Sequence, residues 1–94
     1  MLYVAECYMQ RSRFADIGAV ERMVTAAAES VSAGGDPITY IRSTFVEADE
    51  ICFHVFDTDS IDAVWRTSQA AGVKPLRIVT AVERVGGADP PQEP

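Results

Sequence analysis

The alternation of helical and extended segments is the strongest constraint on the fold of this chain. From about residue 14 to residue 33, apolar residues recur every three or four positions, which is typical of a helix with one apolar side. Gly34-Gly35 and then Asp36-Pro37 end that helix, because glycine adopts the left-handed conformation at a helix end and proline cannot continue the helix. A second amphipathic helix is predicted from about residue 61 to Gly72.

Four short segments rich in β-branched and aromatic residues flank these helices and read as strands. They lie at about residues 2–9, 38–45, 51–56 and 76–85. The order β-α-β-β-α-β predicts an α+β domain of the ferredoxin-like class, with a four-stranded antiparallel sheet and both helices on one face. The domain is predicted to span residues 1–85, and residues 86–94, with three prolines and two glycines, are predicted to form a flexible tail.

Charge and hydropathy exclude several classes of partner. Eight Lys and Arg against fourteen Asp and Glu give a net charge of -6, and the basic residues do not form the cluster that a phosphate backbone requires. No run of about 18 apolar residues occurs, and the first residues lack the basic start of a signal peptide. We therefore expect a cytoplasmic protein that binds neither nucleic acid nor membranes.

The uncovered sheet face is the predicted functional surface. If Phe45 pairs with Ile51, one apolar face of the hairpin is predicted to pack on the helices, and it consists of Ile41, Phe45, Ile51, Phe53 and Val55. Arg42 then lies across from His54 on the other face. That open face would carry Glu6, Tyr8, Tyr40, Arg42 and His54. Because the same face would also be apolar, we expect it to be covered by a second copy of the chain, giving a homodimer.

Two interpretations of this polar cluster remain open. Glu6 and Arg42 could form a structural ion pair inside the dimer, with His54 bonded to a hydroxyl. Alternatively, the cluster could bind a small ligand, because the planar fork of Arg42 suits a carboxylate. Trp65 lies on the apolar stripe of the second helix and is predicted to belong to the core.

The sequence contains few side chains that could bind a transition metal. His54 is the single histidine, so a bound metal would recruit His54, Glu6 and Cys52, or a symmetry-related copy. Cys7 and Cys52 lack the C-x-x-C spacing, and are predicted to be buried, reduced and directed to opposite faces of the sheet. No nucleophile motif or phosphate-binding loop occurs.

Several short motifs resemble a known family. The motifs are Glu6, Tyr40 to Phe45, Asp49-Glu50, Cys52-Phe53, Phe56, Ala63-Val64, Ala71-Gly72 and Arg77 to Val79. In order and spacing they resemble a small ferredoxin-like family of unknown function that includes actinobacterial nickel-binding homodimers, and the resemblance covers residues 2–85. It implies a dimer and a divalent metal such as nickel, although Thr67 stands where the nickel-binding members carry a histidine.

Three functions therefore compete. The first is a small dimeric binding protein that holds a metal ion or a small ligand at the open sheet face. The second is a cofactor-free isomerase or monooxygenase-like enzyme of the dimeric α+β barrel type, which rests on fold analogy. A structural dimer that regulates a partner is the third interpretation.

Overall fold

The computed structural model describes residues 1–86, and within them the predicted order of elements is confirmed. The elements are β1 (Leu2–Tyr8), a 3-10 helix (Arg11–Asp16), α1 (Ile17–Ala33), β2 (Ile38–Val46), β3 (Ile51–Thr58), α2 (Ile61–Ala71) and β4 (Pro75–Ala81). The strands form one antiparallel sheet in the order β2-β3-β1-β4, and the two helices pack together. Apart from Gly86, the predicted tail lies outside the described residues.

Local signals define the ends of both helices. The hydroxyl of Ser60 accepts a hydrogen bond from the backbone N–H of Ala63 at 3.1 Å, which caps the start of α2. Gly72 ends α2 with a left-handed φ of 76°, and Gly35 follows α1 with a φ of 105°. None of the helices that the structure describes is long and apolar enough to cross a bilayer.

The β2–β3 hairpin differs from the prediction in its register. Val46, not Phe45, lies opposite Ile51, because the connection closes in four residues with Glu50 at a φ of 54°. A bulge at Ile41 absorbs the extra residue, so Tyr40 lies opposite Phe56 beyond it.

The predicted faces of β3 are inverted. Cys52, His54 and Phe56 point to the helices and are buried. They do so because β1 places Cys7, Ala5 and Tyr3 directly across from them on the helix side. Since side chains alternate along a strand, Ile51, Phe53 and Val55 must occupy the open face. The expectation that these three apolar residues would face the helices was wrong.

The open face is apolar in its centre and charged at its margins. Its half-buried apolar residues are Leu2, Val4, Ile51, Phe53, Val55 and Val79. Arg77 pairs with Glu6 at 2.9 Å, and Arg42 pairs with Glu83. Trp65, predicted to lie in the core, is 44% exposed on α2 and so lies outside it.

Two substitutions distinguish the observed register from the predicted one. Phe56→Ala should lower the free energy of unfolding by about 3–5 kcal/mol, because Phe56 is fully buried against Tyr40. Ile41→Ala should cost less than about 1 kcal/mol, because the bulge leaves Ile41 exposed. Urea denaturation measures both values, and equal losses would contradict the register described here.

Candidate functional site

The sheet separates the predicted site residues into two groups. Glu6 and Arg42 lie on the open face, each paired with a different partner and not with each other. Tyr8 lies at the exposed end of β1, where its hydroxyl donates to Glu50 at 3.3 Å. Tyr40 and His54 lie on the helix side. The single cluster expected on the open face is therefore not formed.

The helix side contains a cavity with a volume of about 500 Å³. It opens where the end of β1 and the start of β3 meet the first turns of α1 and the end of α2. Val20, Met23 and Val73 provide apolar walls. Cys7, Cys52 and His54 contribute buried groups, and the exposed Arg13 and Lys74 provide two cations. We call this cavity the helix-side pocket.

A hydrogen-bonded chain holds the imidazole of His54. Nδ1 of His54 lies 2.6 Å from the hydroxyl of Ser43, its direct neighbour across the hairpin, and that hydroxyl bonds to the hydroxyl of Tyr40. A phenol is the strongest acid of the three and an imidazole nitrogen the strongest base. The favoured direction is therefore donation from Tyr40 to Ser43 and from Ser43 to Nδ1.

This direction leaves the proton of the neutral imidazole on Nε2. No hydrogen bond among residues 1–86 involves Nε2, although His54 lines the helix-side pocket. Burial lowers the pKa of His54 from 6.5 to about 4, so the ring is neutral at pH 7. The pocket therefore contains a neutral N–H donor that has no partner in the described part of the chain.

The two cysteines lie side by side, which corrects the expectation that they point to opposite faces. Cys7 is the direct cross-strand neighbour of Cys52, and both are buried free thiols on the helix side. Burial raises the pKa of Cys7 to about 12 and that of Cys52 to about 11. Both thiols are therefore protonated at neutral pH and are poor nucleophiles.

The predicted metal ligands do not fit a shared ion. Glu6 is on the opposite side of the sheet from Cys52 and His54, and the thiol of Cys52 would have to lose its proton in a buried site. No group of three Cys, His, Asp or Glu side chains within residues 1–86 is placed to hold a metal. Thr67 is buried in α2 and does not line the helix-side pocket.

Comparison with known proteins shows the fold. No protein-family model matches the chain, and no curated protein matches it. The crystal structure of SCO4226 from Streptomyces coelicolor A3(2) superposes with a TM-score of 0.74, covering 90% of this chain and 100% of that one at 13% identity. At this identity the similarity establishes a common ferredoxin-like architecture and carries no site residue across.

Sequence reasoning missed Ser43, Lys74 and Arg13. Ser43 becomes a partner of His54 only in the observed register, so no sequence spacing marks it. Lys74 could have been found, because it is the single lysine of an acidic chain and lies two residues after Gly72, which caps the end of α2.

The pKa of His54 predicts a pH dependence of stability. Its folded-state pKa of about 4 lies below the ordinary value of 6.5, so its contribution is complete above pH 6.5 and is lost as the pH falls towards 4. The loss corresponds to about 3 kcal/mol. Urea denaturation between pH 4 and pH 7 should show this loss in the wild type and not in His54→Gln. The same pH slope in both proteins would contradict the buried, neutral imidazole.

Proposed function

We propose that this protein is a homodimeric small-molecule-binding protein, and that each subunit holds its ligand in the helix-side pocket. The observation that carries the proposal is the pocket itself. A cavity of about 500 Å³, with apolar walls and a buried polar group, matches the usual anatomy of a small-molecule site. We thus propose a site on the helix side of the sheet, whereas the sequence predicts one on the open face.

Binding is better supported than catalysis. A proton-abstracting isomerase would need an unprotonated nitrogen in the pocket, whereas donation from Tyr40 through Ser43 to Nδ1, the direction that their acidities favour, leaves the proton of His54 on Nε2. The protonated thiols of Cys7 and Cys52 are also poor nucleophiles. Nickel is not supported as the ligand, because Glu6 lies across the sheet from His54 and Cys52.

The open face supports the dimer. Its apolar centre would be exposed in an isolated subunit, and burial of such a patch favours association. The margins carry both signs of charge, in the pairs Arg77–Glu6 and Arg42–Glu83. In a twofold dimer these charged margins would surround the apolar centre, as the polar rim of an interface does.

Sedimentation tests this dimer. The wild type should sediment at twice the 10.2 kDa mass of the chain, and Phe53→Glu should sediment as a monomer, because the new charge would be buried without a partner. Ile61→Glu is the matched control, since Ile61 is exposed on α2, away from the open face. A monomeric wild type, or a dimeric Phe53→Glu, would contradict the proposal.

Mapping of a neutral aromatic probe tests the pocket. Titration of ¹⁵N-labelled protein with 2-naphthamide should shift the backbone resonances of Val20, His54 and Val73. Leu76→Asp places a charge at the pocket and should weaken binding at least threefold, whereas Ile61→Asp should leave it unchanged. Shifts confined to Val4, Val55 and Val79 would instead place the ligand on the open face.

A further inference from the structure

We propose that the helix-side pocket selects small amphipathic carboxylates. In this arrangement the apolar body packs on Val20, Met23 and Val73, the carboxylate meets Lys74, and an uncharged oxygen at the inner end accepts a hydrogen bond from His54. The proposal rests on the proposed function, because it specifies the chemical class of ligand for the same pocket.

The charge of the pocket opposes the charge of the chain. The chain carries a net charge of -6, yet the residues that line the pocket include Arg13 and Lys74 and no aspartate or glutamate. Arg13 is paired with Asp16 at 3.1 Å, whereas Lys74 makes no ion pair within residues 1–86. Lys74 is therefore the cation available to a bound anion.

Hydrogen bonds at the end of α2 lessen the repulsion that a helix C-terminus exerts on a bound anion. A helix C-terminus carries partial negative charge on its unpaired carbonyl groups, which would disfavour an anion nearby. Here the N–H of Gly72 bonds to the carbonyl of Gln69 at 3.1 Å, and the N–H of Val73 bonds to that of Ser68 at 3.0 Å. Two carbonyl groups of the last turn are therefore satisfied within the chain.

His54 sets the chemistry of the inner end. Nε2–H is a donor in a buried site, and the neutral ring offers no charge to balance a buried anion. A carbonyl, hydroxyl or ether oxygen is therefore the matching group there, and the charged end of the ligand belongs at the exposed Lys74. An oxo- or hydroxy-substituted apolar carboxylate fulfils both conditions.

The test compares 2-naphthoate with 2-naphthamide, two probes of nearly the same shape that differ in charge. Calorimetry at low salt should give a dissociation constant at least fivefold lower for 2-naphthoate. Lys74→Gln should remove most of that preference, because it should weaken 2-naphthoate far more than 2-naphthamide. Arg22→Gln is the matched control. It removes one positive charge, as Lys74→Gln does, but Arg22 lies on α1 and does not line the pocket.

The outcomes separate the two proposals. Equal affinities for the two probes, or a preference that survives in Lys74→Gln, would overturn the selection of carboxylates and leave the binding pocket standing. Failure of both probes to bind would overturn the pocket as well. The ¹⁵N spectrum of the imidazole provides an independent check, since a proton on Nδ1 instead of Nε2 at pH 7 would overturn the assigned role of His54.

Discussion

The antiparallel pairing of β1 with β3 is the constraint on which the site depends. It sets Ala5 opposite His54 and Cys7 opposite Cys52, and all four side chains face the helices. The small side chain of Ala5 leaves room for the imidazole beside it. Because the alternation of β3 is then fixed, the residues between these buried ones, among them Phe53, must line the open face. The pocket on one side of the sheet and the proposed dimer surface on the other thus have a common cause.

The order of elements could be predicted from sequence because its signals are local. Helical periodicity, the Ser60 cap and the glycines after each helix act within a few residues. The register of the hairpin could not be predicted, because a bulge at Ile41 has no sequence marker. Glu50 adopts a left-handed conformation that glycine or asparagine would ordinarily signal.

The candidate site was predicted in part. His54 is a central residue of the pocket, but the sequence placed it on the wrong face, since its environment depends on non-local pairing with Ala5 and Ser43. A charged set of Glu6 and Arg42 was expected to meet His54, and the observed faces separate them. The predicted ion pair is also replaced, because Arg77 lies opposite Glu6 on β4.

The ionisation of His54 tests this account most directly. An NMR titration of the imidazole in the intact protein reports whether the ring is buried on the helix side, independently of any ligand. We expect a pKa far below 6.5, near 4, because burial disfavours the charged ring. A pKa at or above 6.5 would contradict it, since that value belongs to an exposed ring or to one beside a carboxylate such as Glu6 on the open face.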